Sequence, residues 1–254
     1  MSGGHLHALH VHGHSPVHRM APEAKVAALL VFVLGVVATP REAMWAFGIH
    51  GFLLLAVVTF AELPIGFVLR RMTIEAPFVA FALFLPFLGG GAETEVLGVG
   101  LSIDGLWGAW NILAKATLGV GASVTLIATT EIPELLHGLD RLRVPRLFTA
   151  IAGFMVRYID VVAGELQRTR TAMTARGHDP RWLWQVGPLA TAAGALFVRS
   201  YERGERVHQA MVARGFDGRM PPIDERRATP IEWAAAMAMP LTAWMTVLLV
   251  LVTP

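Results

Sequence analysis

Two copies of a short phrase carry the residues of this chain whose types and spacing point to chemistry. Residues 172–179 read Ala-Met-Thr-Ala-Arg-Gly-His-Asp, and residues 210–217 read Ala-Met-Val-Ala-Arg-Gly-Phe-Asp. Each phrase ends a segment with helical periodicity. This placement predicts that its arginine lies in the last turn of a helix and that its glycine ends the helix. The cation complements the negative end of the helix dipole. The sequence therefore predicts a fixed positive charge at each of two helix ends.

An ordinary helix cap is the simplest explanation for one such copy, because a basic residue followed by glycine ends many helices. The two copies, however, match at six of eight positions and lie 38 residues apart. Capping requires neither the leading Ala-Met nor the trailing Asp. The repetition indicates that a partner recognises the two helix ends as a pair.

The composition is that of a membrane protein. Of the 254 residues, 54% are hydrophobic and 16% are charged, and the mean hydropathy is +0.54. The apolar residues form runs, which predicts an all-α integral membrane protein. The absence of cysteine excludes disulfides and thiolate metal sites. The first twenty residues have no apolar core, so we expect no signal peptide there.

We expect about five transmembrane helices, at residues 26–39, 43–61, 76–88, 106–130 and 231–252. The first run is shorter than the roughly 20 residues needed to span a bilayer. Residues from Ala21 onwards are therefore expected to contribute, with Lys25 snorkelling to the interface. Arg70-Arg71 would lie in a polar stretch before the third span, and an acidic loop at 89–105 would follow that span.

The distribution of basic residues predicts the orientation. Of 21 lysines and arginines, 15 lie between residues 131 and 229. The positive-inside rule then places this block, Arg70-Arg71 and the N-terminus in the cytoplasm, and the 89–105 loop outside. Arg41, in the first external turn, is an exception. The predicted division is a tail at 1–20, four spans at 21–130, a cytoplasmic block at 131–229 and a last span at 230–254.

The block itself is predicted to contain long amphipathic cytoplasmic helices. A short helix at 132–142 precedes two long ones, each of which ends at a copy of the repeated phrase. Their apolar first halves, at 147–156 and 186–198, are too short to span a membrane. We expect both helices to be rooted at the membrane interface. A sixth or seventh partial span built from these halves is the alternative.

The sequence contains few signs of catalysis, ion conduction or nucleic-acid binding. The chain has no Walker A sequence, no His-Glu-x-x-His and no Gly-x-Ser-x-Gly, so we expect it to hydrolyse nothing alone. His50, Asn111 and Lys115 are polar residues within spans. Interhelical hydrogen bonding or snorkelling is preferred for them over an ion path, because no carboxylate lies deep in a span. The basic block has few aromatic residues among its arginines, which argues against nucleic acid and favours membrane phosphate or a protein.

Six of the ten histidines lie in the first twenty residues. They are His5, His7, His10, His12, His14 and His18. Imidazoles at this spacing can gather a borderline metal ion such as cobalt or nickel. A solvated tail without a specific role is the alternative.

The twin Ala-Arg-Gly ends, carried on long helices before a final span, resemble the transmembrane (T) component of energy-coupling-factor (ECF) transporters. The CbiQ cobalt transport branch is the most similar. The stretch 18–25 is similar to the phrase before the family's first span, in which a basic residue precedes Pro and then Lys. The resemblance covers the chain from residue 18 to its end.

The resemblance implies a non-catalytic coupling subunit of an ATP-driven cobalt importer in the bacterial inner (cytoplasmic) membrane. Its implied partners are two ATP-binding cassette subunits, which hold ATP and Mg, a membrane substrate-binding (S) subunit and membrane lipid. No cofactor and no metal site are expected in this chain. The implied docking residues for the ATP-binding subunits are Ala175, Arg176, Gly177, Ala213, Arg214 and Gly215.

Three alternatives stay open at this stage. The substrate of such an importer could be nickel or a vitamin. The chain could instead be a stand-alone secondary metal transporter lined by His50, Asn111 and Lys115. It could also be a membrane anchor that recruits a cytoplasmic complex.

Deletion of residues 2–14 is expected to change metal uptake modestly or not at all, because the histidine-rich tail lies outside the implied coupling route. Uptake assays on cells that express the deleted chain check this. A complete loss of uptake with intact assembly would place the tail on the transport route.

Overall fold

The computed structural model describes residue 13 and residues 15–90, 93–96, 99–178, 187–216 and 226–252, and most of these are helical. The helices are α1 (Pro16–Arg19), α2 (Pro22–Ala38), α3 (Met44–Phe60), α4 (Ile65–Met72), α5 (Ala76–Leu88), α6 (Ile103–Thr129), α7 (Ile132–Arg141), α8 (Arg146–Ala175), α9 (Gly187–Ala213) and α10 (Pro230–Val252). A 3-10 turn, Thr73–Glu75, joins α4 to α5. The predicted all-α membrane class is confirmed.

A small β-hairpin occupies part of the region that the sequence predicts as an acidic loop. Strands β1 (Glu93–Val96) and β2 (Val99–Ser102) pair antiparallel, with Glu93 opposite Ser102 and Val96 opposite Val99. Ser102 then caps the first turn of α6, because its hydroxyl oxygen accepts a hydrogen bond from the Gly105 N–H at 3.1 Å.

The chain divides into two compact units. One, here called the helix pair, contains α8 and α9 and falls within residues 143–225. The other, here called the bundle, contains α1–α7, the β-hairpin and α10. Helix α7 lies within the basic block of the sequence, yet it packs against α2 in the bundle. The division of the chain at residue 131 stays a prediction.

The core of the bundle forms where α2, α3, α6 and α10 meet. Phe32, Val36, Phe47, Leu118 and Ala243 are buried together there. Many large apolar side chains on the outer faces are exposed instead, including Phe52 and Phe60 of α3 and Leu83 and Leu88 of α5. Apolar surface of this kind around a packed core is expected for helices that face lipid.

Among the described residues, four helical stretches are long and apolar enough to cross a membrane: Ile65–Leu88, Ile103–Thr129, Arg146–Ala175 and Pro230–Val252. The 17-residue α3 is apolar but shorter. Arg70 and Arg71 form the last turn of α4 and not a loop, because α4, the 3-10 turn and α5 form one 24-residue helical stretch. Their position outside the third span stays a prediction. Helix α8 meets the same criterion over an 18-residue window, which keeps open the alternative of a further partial span built from its apolar half.

Lys25 is buried in the bundle, and the prediction that it snorkels is wrong. Its side chain and backbone together are 7% exposed, and Nζ donates hydrogen bonds to the carbonyl oxygens of Thr129 at 2.9 Å and His18 at 3.4 Å. Thr129 is the last residue of α6, so the ammonium satisfies a carbonyl at the negative end of that helix. The Pro-x-x-Lys phrase thus ties the start of α2 to the end of α6.

Arg41, the exception in the charge distribution, is neutralised by nearby carboxylates. Its Nε donates to Glu42 Oε1 at 2.8 Å, and its Nη2 lies 3.7 Å from Asp104 Oδ1. The hydrogen bond from Arg41 holds the pKa of the Glu42 carboxyl below its ordinary value. The turn between α2 and α3 therefore carries an ion pair and not an isolated positive charge.

Replacement of Gly105 by alanine is expected to destabilise the bundle by about 1–3 kcal/mol. A Cβ at this position would lie 2.8 Å from Pro86 Cα and would also collide with the carbonyl oxygen of Leu85, so α5 and α6 would have to separate. Thermal unfolding of the detergent-solubilised protein, followed by tryptophan fluorescence, checks this. Gly119→Ala is the matched control, because a Cβ there meets nothing within 4 Å. Equal melting temperatures for both variants would contradict the assigned close approach.

Candidate functional site

The first copy of the repeated phrase ends α8 in a Schellman motif. The Gly177 N–H donates to the Thr174 carbonyl at 2.9 Å, and the His178 N–H donates to the Met173 carbonyl at 3.0 Å. Gly177 has a φ of +79°, in the left-handed region that glycine adopts without the steric cost of a Cβ. Arg176 is the cap residue, with a φ of −89°.

The second copy ends α9 in the same way. The Gly215 N–H donates to the Val212 carbonyl at 2.9 Å, and the Phe216 N–H donates to the Met211 carbonyl at 3.0 Å. Gly215 has a φ of +82°, and Arg214 precedes it at the cap position. The two copies of the phrase therefore share one backbone conformation as well as one sequence.

The motif accounts for more of the repeated sequence than capping alone predicts. The carbonyl groups that close the two Schellman motifs belong to Met173 and Met211, and both methionines are half-buried. An apolar residue is common at this position because it packs on the residue that follows the glycine. The structure places Ala175, Arg176, Gly177, Ala213, Arg214 and Gly215 on exposed surface. The trailing Asp179 and Asp217 lie outside the described residues.

The two capping arginines carry charge that the chain itself does not neutralise. Within the part of the chain that the structure describes, neither the Arg176 nor the Arg214 guanidinium makes an ion pair or a side-chain hydrogen bond. Several arginines nearby in the helix pair do make such contacts; Arg206, for example, lies 3.8 Å from Glu202. The helix ends therefore present two cations with their hydrogen-bond donors available to another molecule.

A carboxylate that the sequence analysis did not single out links the two helices. Glu165 of α8 forms an ion pair with Arg199, whose Nε lies 2.7 Å from Oε1, and accepts a hydrogen bond from Arg203 Nη2 at 3.4 Å. Glu165 and Arg203 are themselves 38 residues apart, the offset of the repeated phrase. Eleven residues separate Glu165 from Arg176, and eleven separate Arg203 from Arg214. Each capping arginine thus lies about 16 Å along its helix from the same link.

The apolar contacts around this link show that the helices run antiparallel. Phe154, which precedes Glu165 in α8, lies beside Val207 and Met211, which follow Arg203 in α9. These side chains line a shallow cleft of about 230 Å³. The two arginine caps consequently lie at opposite ends of the helix pair.

Much apolar surface of the helix pair stays uncovered. No described residue of α8 or α9 is fully buried. The exposed large apolar side chains are Leu147, Phe148, Ile151, Met155, Ile159, Val161, Phe197, Val198, Tyr201 and Val212. Apolar surface of this extent indicates contact with lipid or with another protein.

His50 lies in the core of the bundle. It is 0% exposed, and its Nε2 lies 3.0 Å from the Thr246 hydroxyl and 3.4 Å from the Ala243 carbonyl oxygen. The rings of Phe32 and Phe47 lie nearly perpendicular to its ring, at 83° and 87°. These contacts link α3 to α2 and α10, which is the interhelical hydrogen bonding that the sequence favours for this residue.

The other two polar residues of the spans make separate contacts. Lys115 Nζ donates to the Val37 carbonyl oxygen at 2.8 Å, close to the end of α2. The Asn111 side-chain oxygen is buried without a hydrogen-bond partner among the described residues. Nothing in the described part of the chain joins these two residues and His50 into a continuous polar path.

Most of the histidine-rich tail lies outside the described residues. Of its six histidines only His18 is described, and its Nδ1 lies 2.7 Å from the Ser15 hydroxyl. The described ranges contain no group of three or more His, Asp or Glu side chains placed to hold a metal ion.

These observations give the class of the molecule. It is a multi-pass helical membrane protein that displays two matching arginine-capped helix ends. The sequence model of the CbiQ family, described as cobalt transport protein, matches residues 13–223. The chain belongs to this family and is a transmembrane component of the ECF-transporter type. The resemblance read from the repeated phrase is confirmed.

Individual relatives agree with this assignment. The cobalt transport protein CbiQ of Rhodobacter capsulatus is 31% identical over 194 residues, 70% of this chain and 79% of the relative. The ECF transporter transmembrane protein EcfT of Heliobacterium modesticaldum is 26% identical over 219 residues, 80% of this chain and 81% of the relative. The chain spans only 38% of a fused cobalt transport protein CbiMQ of Methanocorpusculum labreanum, to which it is 26% identical over 234 residues.

Glu165→Gln is expected to loosen the helix pair. The change leaves Arg199 and Arg203 facing a neutral group in a site where the glutamate side chain is only 15% exposed. Amide hydrogen exchange in the second halves of α8 and α9, measured by mass spectrometry, should accelerate about ten- to hundredfold.

Glu202→Gln is the control for this prediction, because the Glu202 side chain is 55% exposed and its ion pair with Arg206 contributes little. Exchange in this variant should match the unaltered chain. Unchanged exchange in Glu165→Gln would show that the link does not hold the two helices.

Proposed function

We propose that this chain is the coupling subunit of an ATP-driven ECF importer, with one cytoplasmic ATP-binding cassette subunit docked at each arginine-capped helix end. The observation that carries the proposal is the pair of exposed, equally shaped Ala-Arg-Gly ends at opposite ends of one helix pair. A single cap would suit any helix. Two matching sites suit two copies of one kind of partner. Membership of a family whose relatives are named as ECF components supports the same function.

The chemistry of the proposed docking is a charge-assisted contact. Each guanidinium offers a planar set of donors that binds a carboxylate in two parallel hydrogen bonds. The alanine before each arginine and the glycine after it are small, so the backbone of a partner can approach closely. ATP and Mg belong to the partner subunits in this proposal, and no residue of this chain takes a catalytic role.

The exposed apolar side chains of α8 and α9 are the proposed contact with the membrane environment. In the proposal, ATP-driven closure of the two partner subunits moves both helix ends. The apolar surface passes this movement to a separate membrane subunit that binds the substrate, and lipid covers the remainder. The link at Glu165 allows the helices to move together and not independently.

Cobalt is the proposed substrate of the importer. The family description and the name of the relative from Rhodobacter capsulatus both state cobalt transport. The histidine-rich tail suits a metal importer, although imidazole binds nickel as well as cobalt. Nickel or a vitamin remains the alternative substrate.

The proposed location is the bacterial inner membrane, with the helix pair rooted at the cytoplasmic interface and its arginine-capped ends and the N-terminus in the cytoplasm. The excess of arginine in residues 131–229 supports this orientation. The stand-alone secondary transporter is disfavoured, because His50 and Lys115 make separate contacts in the described bundle.

Replacement of both capping arginines by glutamate, Arg176→Glu with Arg214→Glu, is expected to reduce co-purification of the ATP-binding subunits by at least about tenfold. Transport should be lost while the protein still inserts in the membrane, because a carboxylate at the cap repels the acidic partner group. Affinity purification of the tagged chain from native membranes measures the effect.

Arg168→Glu with Arg206→Glu is the matched control. These arginines are also 38 residues apart, lie eight residues before the caps and are exposed. The control should retain the ATP-binding subunits. Normal metal uptake by the cap variant, or an equal loss of the ATP-binding subunits in both variants, would contradict the docking assignment.

A further inference from the structure

A buried carboxylate at the start of α2 holds two distant parts of the bundle together. Glu23 is 5% exposed. Its Oε1 accepts a hydrogen bond from the Ala228 N–H at 2.7 Å, and both of its oxygens accept from Arg141 Nη1, at 3.2 and 3.3 Å. Arg141 also donates to the carbonyl oxygen of Arg226. One carboxylate therefore joins the first turn of α2, the last residue of α7 and the segment before α10.

The partners of Glu23 lie in the sequence on either side of the helix pair. The unit that contains the helix pair begins at residue 143 and ends at residue 225. Arg141 lies two residues before its start, and Ala228 lies three residues after its end. Arg141 and the segment before α10, which flank residues 143–225 in the sequence, are thus bonded to the same side chain in the bundle. We call Glu23, Arg141 and the 226–228 segment the junction.

The surroundings of the junction make it stiff. Gly138 of α7 lies against the start of α2 so closely that a Cβ there would be 2.9 Å from the Pro22 carbonyl carbon and 3.0 Å from the Glu23 nitrogen. The close approach leaves α7 little freedom to slide over α2.

The exit segment is held just as firmly. Arg226 donates to the Arg19 carbonyl at 3.1 Å and pairs with Glu232 at 2.6 Å. Thr229 and Glu232 exchange hydrogen bonds as a capping box at the start of α10. The chain that leaves the helix pair is therefore fixed before it enters the last span.

We propose that Glu23 is a positioning residue that holds both connections of the helix pair to the start of α2. A displacement of the helix pair is then transmitted to the bundle. This inference rests on the proposed coupling function. A flexible connection would absorb a displacement by rotating about its own backbone bonds. Two connections whose bundle ends are bonded to one buried, charge-paired carboxylate pass the displacement on to α2, because separation would leave that charge without its partners.

The first test measures the clamp without any partner subunit. The natural chain contains no cysteine, so nitroxide labels can be attached at Thr171→Cys in α8 and Ile231→Cys in α10, both of which are exposed. Pulsed electron paramagnetic resonance then gives the distribution of distances between the two units. Glu23→Gln should broaden this distribution, because a neutral amide binds Arg141 weakly and presents a different acceptor to Ala228.

The second test separates positioning from a merely structural role. The complex with its ATP-binding subunits is reconstituted in liposomes, and ATP hydrolysis and metal uptake are measured together. Glu23→Gln should retain the ATP-binding subunits and hydrolyse ATP, while uptake per ATP hydrolysed falls by about tenfold. Arg141→Gln, which leaves the bond to Ala228, should give a smaller fall. Arg141→Lys, which keeps the charge, should restore part of the coupling.

Glu42→Gln is the matched control, since Glu42 lies in the exposed turn at the other end of α2. It should leave both the distance distribution and the coupling ratio unchanged. A distribution as narrow in Glu23→Gln as in the unaltered chain would overturn the inference. So would a parallel loss of hydrolysis and uptake in both Arg141 variants. If the unaltered chain brings no ATP-binding subunit, the proposed function fails, while the distance measurement still decides whether Glu23 is a clamp.

Discussion

The carboxylate of Glu165, bound by Arg199 and Arg203, is the interaction on which the arrangement of the helix pair depends. Glu165 and Arg203 are 38 residues apart, which is the offset of the repeated phrase. From this link each helix therefore runs the same eleven residues to its arginine cap. No described side chain of the pair is fully buried. In the helix pair, a polar link therefore sets the register of one helix against the other. In the bundle, apolar packing does so.

Charges with little exposure to solvent serve a similar purpose at three places in the described part of the chain. Glu165 holds α8 to α9, Lys25 holds the start of α2 to the end of α6, and Glu23 holds α7 and the segment before α10 to α2. A charge in a poorly solvated site is costly unless its partners stay in place. Each of these groups consequently favours one geometry strongly. The apolar outer faces, by contrast, fit lipid or a partner in many arrangements.

The sequence predicted those features that depend on local pattern. The apolar runs gave the membrane class, and the repeated phrase gave both helix ends, the family and the candidate residues. What it missed depends on contacts between distant segments. Nothing local to Lys25 shows that the Thr129 carbonyl lies beside it, and nothing local to Glu165 reveals Arg199. The 38-residue spacing between Glu165 and Arg203, equal to that of the phrase, was the one available signal. The helical conformation of the polar stretch at Arg70-Arg71 was not foreseen, because a charged helix surface, with Arg71 over the Phe67 ring, resembles a loop in hydropathy.

Native mass spectrometry of the detergent-solubilised complex tests most directly whether the two helix ends are equivalent docking sites. The measurement gives the number of ATP-binding subunits bound to each copy of this chain. Two such subunits per chain, with one released when either capping arginine alone is altered, is the predicted result. A complex that holds a single ATP-binding subunit, or one that keeps both subunits after either alteration, would contradict the equivalence of Arg176 and Arg214.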